Sequence, residues 1–169
     1  MALVLGVAAA LVAATLLVER PVEVRLAVAT EQATQSPGWV GPDAVRGAGR
    51  PAVRISGLRP GTSVELRYQH TVERTPVVEV FRAERDGLWF VEARFASQGA
   101  GLPSQGYVRE GDHYVLRRPH RIGALAVRIS ARAGHRLRVG DREADLVEAF
   151  GDGAGVVVTA GLGRWQIRR

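Results

Sequence analysis

The sequence predicts an all-β domain, a sandwich or a barrel, behind an N-terminal apolar helix. Three observations carry this expectation. Beyond residue 20, apolar and polar residues alternate in short runs, as in Val22-Glu23-Val24-Arg25-Leu26-Ala27-Val28. That is the period of a strand with one buried face. The runs are joined by Gly- and Asp-rich segments such as Arg85-Asp86-Gly87 and Gly151-Asp152-Gly153, whose residues suit tight turns. Finally, Met1–Val18 contains no charge; as a helix it would reach about 27 Å, close to a bilayer core of about 30 Å.

Taken in order, residues 1–19 form a membrane anchor or signal segment, and 20–169 a single all-β domain large enough for its own core. Val22–Val28 is the first strand. Residues 30–50, rich in Gly, Pro, Gln, Ser and Thr, read as a long loop or short linker. A short strand over 52–56 and a turn over Gly57–Gly61 follow. Ser63–Val72 and Pro76–Glu84 form the first clear hairpin, and Gly87–Phe95 returns as a third strand. Residues 97–106 are a loop, and short strands lie near Tyr107-Val108 and His113–Leu116. Leu125–Ser130 and His135–Val139 are expected to pair as a second hairpin. The segment Glu143–Phe150 reads as a short helix, and strands over 154–160 and 164–167 close the chain.

Composition narrows the function classes. All 23 basic residues are arginine, and the net charge is +6. The arginines alternate with apolar or acidic neighbours, as in Arg128-Ile129-Ser130-Ala131-Arg132. That is the pattern of a solvated basic surface, not of a nucleic-acid footprint. Aromatic content of 6% is low for single-strand stacking. Attraction to anionic lipid is the more natural use of the charge. The absence of cysteine excludes disulfides and thiolate metal sites. The apolar N-terminal run lacks the basic flank of a cleaved signal peptide. Its formal cleavage site, Ala27-Val28-Ala29, falls within the first strand. An uncleaved signal-anchor fits better, with secretion after cleavage as the alternative. No basic residue flanks the N-terminus to set an orientation.

The stretch Tyr68-Gln69-His70-Thr71-Val72-Glu73-Arg74-Thr75-Pro76-Val77-Val78-Glu79-Val80-Phe81 proposes the sequence's one specific polar pair. A connection over Glu73–Pro76 would set Val72 opposite Val77, His70 opposite Glu79, Tyr68 opposite Phe81 and Leu66 opposite Ala83. All would lie on one face, because side chains alternate along a strand. A buried carboxylate needs a partner, so such a pair can be a satisfied core pair, a ligand-reading pair at a pocket edge, or an acid–base or metal-binding couple. Metal binding needs further ligands, and His113, His120 and His135 are scattered; no metal or other cofactor is expected. Gly99-Ala100-Gly101-Leu102-Pro103 lacks both the Rossmann spacing and a Gly-Lys-Ser/Thr element. Its glycines more simply permit positive φ or close backbone approach.

Taken together, Tyr68-x-His70-Thr71-Val72-Glu73-x-Thr75-Pro76-Val77-x-Glu79 and Ser97-x-Gly99-Ala100-Gly101-Leu102-Pro103 resemble a bacterial family of small exported or membrane-anchored proteins. The resemblance covers roughly residues 50–160. Thr71 stands where the family's pattern has serine, and the 30–50 loop is longer than in a compact member. The family is classed as a domain of unknown function, and its members are often encoded beside TAXI-type tripartite (TRAP) transporters. The resemblance implies a periplasmic domain on the bacterial inner membrane, with the permease or its substrate-binding protein as partner. It supplies no catalytic residues.

The expected function is therefore a non-enzymatic, membrane-anchored accessory or binding module of a TRAP-type uptake system. Tyr68, His70, Glu73, Glu79, Gly99, Gly101 and Pro103 are its candidate ligand or partner contacts. The alternatives are a small periplasmic hydrolase using His70 with Glu79 or Glu73, and a structural envelope protein.

Overall fold

The computed structural model describes residues 20–29, 38–40, 51–99, 102 and 104–163, with backbone alone at 38–40, 51 and 52. Among the described residues, twelve strands, β1 to β12, fall into two antiparallel sheets. The first has the order β2 (Gly38–Val40), β9 (Ala124–Arg128), β12 (Gly155–Leu162), β1 (Val22–Val28) and β3 (Pro51–Leu58). The second runs β11 (Arg142–Asp145), β10 (Arg136–Val139), β4 (Thr62–Gln69), β5 (Pro76–Glu84), β6 (Gly87–Phe95), β8 (His113–Ile122) and β7 (Val108–Glu110). β12 packs on β5 and β6, β1 on β5, and β9 on β6, so the sheets face one another as a sandwich. Val22, Val24, Leu26, Val127, Val156 and Val158 from the first sheet meet Val64, Phe81, Leu88, Phe90, Phe95 and Leu137 from the second in one buried core. Phe81 and Phe90 contribute an edge-to-face pair at 5.7 Å.

The expected first strand, Val22–Val28, is β1 as read. The 30–50 loop contributes the short strand β2, which pairs with β9; its other residues lie outside the described ones. So do the expected anchor over 1–19 and the closing strand over 164–167. Among the described residues no helix is long and apolar enough to cross a membrane. The helix expected over 143–150 is a strand in its first part, β11, and a single short helix, α1 (Leu146–Phe150), in the rest. Asp145 divides the two: its carboxylate accepts from the Val147 and Glu148 N–H groups as an N-cap.

Two pairings differ from expectation. Leu125–Ser130 and His135–Val139 do not form a hairpin. β9 lies between β2 and β12 in one sheet, and β10 between β4 and β11 in the other. Residues 129–135 therefore cross from sheet to sheet. The continuous apolar run Ala124–Val127, buried throughout, belongs to a strand flanked on both sides rather than to a half-solvated hairpin arm.

The β4–β5 hairpin forms, but in another register. Leu66 faces Glu79 rather than Ala83, a slide of four residues, while Tyr68 faces Val77 and Val64 faces Phe81. β4 ends at Gln69 and the connection is 70–75, so His70 does not stand opposite Glu79, and Val72, expected on the apolar face, is 70% exposed. The error lay in reading Thr75-Pro76 as turn. Pro76 is the first strand residue, opposite Gln69. Gln69 sends its N–H away from β5, to Ala133 O at 2.8 Å. The Gln69–Pro76 pair is thus one that exchanges no ladder bonds, and the missing proline N–H costs β4 nothing.

On the outward face of the first sheet lies one buried carboxylate, Glu23. Arg25 Nε reaches it at 2.5 Å and Ser56 Oγ at 2.9 Å, and Arg54 Nη1 stands 3.5 Å away. Burial alone would raise its pKa. The hydrogen bonds from Arg25 and Ser56, with the charges of Arg25 and Arg54, outweigh that and hold it below the ordinary carboxylate value. A carboxyl with a lowered folded-state pKa adds stability above its unfolded pKa and loses it as pH falls through the folded value. Glu23→Gln should therefore destabilise the fold by about 1–2 kcal/mol at neutral pH. The gap from the parent should shrink as pH falls below about 4. Urea unfolding of both proteins across that range measures it; a gap independent of pH would refute the assignment.

Candidate functional site

A cavity of about 380 Å³ opens between the sheets at the end where β4 stops and β5 begins. One wall comes from Leu66, Tyr68 and Glu79 of the second sheet, the other from β9. Its end is closed by His70 and by Ser130, Ala133 and His135 of the crossing segment. Leu102, from the loop after β6, adds an apolar side, and exposed Arg128 stands at the rim.

Tyr68 and Glu79 share an inward face because the slide in register is an even number of residues and preserves alternation. The Tyr68 hydroxyl donates to Glu79 Oε1 at 3.2 Å. Glu79 is flanked by apolar partners, Leu66 on β4 and Ala93 on β6. Burial among them raises its pKa, against a smaller lowering by the Tyr68 bond. Burial, and then the neighbouring Glu79 charge, raise the Tyr68 phenol as well. What accessible surface Glu79 keeps lies at the cavity wall.

The two histidines play the same structural part. His70 Nδ1 accepts from Glu73 N–H at 3.1 Å, and His135 Nδ1 accepts from Ser130 N–H at 3.1 Å. In each neutral ring the proton is thereby assigned to Nε2. Burial lowers the pKa of His135. Its ring lies 5.3 Å from that of Tyr68, so one aromatic surface continues from β4 into the crossing segment.

The turn that carries His70 is closed from both ends. His70 N–H donates to Thr75 O and Arg74 N–H to His70 O, each at 2.8 Å, with Arg74 in the left-handed region at φ 55°. Thr75 Oγ1 and Ser97 Oγ, 2.8 Å apart, tie the turn to the following loop. Gly99 of that loop rests against the His70 ring. A Cβ there would stand 2.8 Å from His70 Cε1 and 2.9 Å from Glu73 Cγ. This close approach brings the two sequence motifs together in space. Leu102 N–H bonds Gly99 O at 3.1 Å, which turns the chain back toward the cavity.

A DUF1850 domain, a domain of unknown function, is found at residues 64–146. The DUF1850 match is narrower than the 50–160 span of the resemblance. It nevertheless contains every residue that lines the cavity, from Leu66 to His135. β1, β3 and β12 lie outside it. No curated protein and no solved structure matches the chain.

Of the candidate residues, Tyr68, His70 and Glu79 meet at the cavity, while Glu73 and Gly99 lie behind His70. Gly101 and Pro103 lie outside the described residues. Ser130, His135 and Arg128 are additions to the expected site. No local signal marks them, because they arrive through the crossing of residues 129–135 between sheets. Among the described residues, no group of three or more His, Asp or Glu is placed to hold a metal ion.

Two substitutions test this geometry. Gly99→Ala should destabilise the protein by about 1–3 kcal/mol through overpacking on His70 and Glu73. Glu73→Ala in the same chain should restore part of the loss, and calorimetry of the single and double variants measures both. Glu79→Gln probes the carboxyl. With its pKa raised on folding, the folded state binds more protons than the unfolded between the two values, so this group makes stability fall as pH rises through that window. The amide keeps an acceptor for Tyr68 without the charge. Its stability relative to the parent should rise with pH, and a constant difference across the carboxylate range would contradict the assignment.

Proposed function

We infer that the protein is a non-enzymatic binding module of the bacterial envelope. In this reading residues 1–18 anchor it to the inner membrane and the β domain lies on the periplasmic side. It serves a TRAP-type uptake system of the TAXI kind, through the permease or its substrate-binding protein. The observation that carries the binding reading is the cavity itself, which combines apolar walls with a few convergent polar groups, as binding sites do. The site lies wholly within the DUF1850 match.

Recognition fits the polar groups better than turnover. The Tyr68 hydroxyl is engaged by Glu79, and Nδ1 of both His70 and His135 already holds a backbone N–H. A hydrolase built on His70 and Glu79 would need the two in direct partnership, and Leu66 occupies the place opposite Glu79. Glu73, the other candidate partner of His70, is exposed on the turn and offers the ring its backbone N–H.

Affinity-tagged full-length protein, solubilised from its native membrane, should retain the permease or the substrate-binding protein. Ala133→Leu, which fills the cavity from its end, should reduce that retention several-fold at unchanged abundance. Reproducible absence of either partner would defeat the TRAP association. Retention unaffected by the filled cavity would detach the cavity from it. Loss of abundance alone in a His70→Ala strain would favour a purely structural envelope protein.

A further inference from the structure

We propose that the cavity takes an aliphatic primary ammonium group, its nitrogen paired with Glu79 and its carbon stem held between the apolar walls. The proposal rests on the reading of the cavity as a binding site. What it adds is the chemistry of the occupant, which a free amine and a lysine side chain of a partner protein share.

Glu79 is the one acid among the described residues that line the cavity. It is withdrawn from water between Leu66 and Ala93, and no ion pair reaches it among the described residues. One oxygen, Oε1, accepts from the Tyr68 hydroxyl. The other, Oε2, has no hydrogen bond. Among the described residues no sealed side-chain oxygen or nitrogen lacks a partner, so Oε2 keeps open surface, and the cavity is where it opens. The fold thus already bears the cost of drawing this carboxyl out of water, and an entering cation has only its own to offset. A single free oxygen suits the point charge of an ammonium. It does not match the two-pronged fork of a guanidinium. An entering carboxylate would meet a like charge.

The chain brings no cation of its own to this carboxyl. It contains no lysine. Arg128 is exposed at the rim, and both histidines at the cavity's end accept a backbone N–H at Nδ1. Burial lowers the His135 pKa and so favours its neutral form. The walls fit the stem. Leu66, Leu102, Leu125 and Val127 line the cavity, and methylenes can bury against them while the charged tip reaches Glu79. The Tyr68 ring, whose hydroxyl holds Glu79 and whose face lies 5.3 Å from the His135 ring, adds an aromatic surface of the kind that attracts cations. A volume of about 380 Å³ is at the small end of the range for ligand sites, about 300–1,000 Å³, and suits one short chain. His135 Nε2–H has no partner and is likewise unsealed. It offers a donor at the end of the cavity, where the outer end of the ligand would present an acceptor such as a peptide carbonyl.

n-Pentylamine, pentanol and pentanoate carry chains of the same length with a positive, a neutral and a negative end. Each is titrated into the detergent-solubilised full-length protein, and binding is read by NMR at the Tyr68 ring. Pentylamine should bind about tenfold or more tightly than pentanol, as a hydrogen bond to a charged group warrants, and pentanoate more weakly than pentanol. Glu79→Gln should bring the amine down to the level of the alcohol and leave the alcohol's affinity unchanged, which separates loss of the charge from loss of the fold. Ala133→Leu should abolish binding of all three. Absence of saturable amine binding, equal binding of amine and alcohol, or an amine preference that survives Glu79→Gln would each overturn the proposal. Pentylamine added to the solubilised complex then identifies the source. Release of the transport partner assigns the site to a partner lysine, and continued retention with amine bound assigns it to a free amine. Pentylamine binding through Glu79 with no transport partner retained defeats the TRAP association and leaves the proposal standing. Retention that depends on the cavity, without amine binding, does the reverse.

Discussion

The pairing of β4 with β5 is the constraint on which the rest of the site depends. It is fixed by how the chain turns between them. His70 N–H closes onto Thr75 O, Arg74 enters the left-handed region, and the His70 ring receives the Glu73 N–H. With six residues held in this way, Pro76 must begin its strand opposite Gln69 and Glu79 must lie opposite Leu66. The register expected from the sequence would instead leave His70 within a strand, opposite Glu79, with its turn unclosed. Gln69 N–H, directed away from β5 onto Ala133 O, then joins the hairpin to the crossing segment and so to His135. The histidine that looked like half of a chemical pair is thus the organiser of a turn, and the turn selects which residues meet at the cavity.

How much of this could be read from sequence follows from the range of the interactions. Strand alternation is local, so β1 and the inward facing of Leu66, Tyr68 and Glu79 were legible. Parity survives any even slide in register, which is why the face was right although the partners were wrong. The register was not legible because Thr75-Pro76 suits a turn and a strand start equally. The closure of the turn, His70 N–H onto Thr75 O and Arg74 N–H onto His70 O, decides between them. His135 and Ser130 were invisible for a different reason. Nothing within several residues of them reports that β9 and β10 belong to different sheets. The same holds for Gly99: its motif could be recognised, but its need for glycine arises only where the loop meets His70.

Two carboxylates show how one residue type takes opposite electrostatic roles within one sandwich. Glu23 and Glu79 each lie within a strand, and each is drawn away from water. Glu23 faces outward, where Arg25 and Arg54 can arch over it with their guanidinium groups still hydrated. Glu79 faces the gap between sheets. Its neighbours there are Leu66, Ala93 and the Tyr68 hydroxyl, and no ion pair reaches it among the described residues. The first carboxyl is held charged and the second is pushed toward its neutral form. A buried acid without a cation is costly. At Glu79 the Tyr68 hydroxyl and the cavity stand where a cation would otherwise be needed.

The sandwich has two ends, one where β1 begins beside the end of β12 and one where the turns enclose the cavity. The longer strands run from one end to the other: β5 carries Glu79 toward the cavity and Arg82 toward the opposite end, and β9 leads from Ala124 to Arg128 at the cavity rim. His70, Glu79 and His135 converge at the cavity end. That end lies entirely within the DUF1850 match, and β1, which joins the domain to the preceding apolar run, lies outside it. The place of the cavity in the fold thus follows from where the strands begin and end.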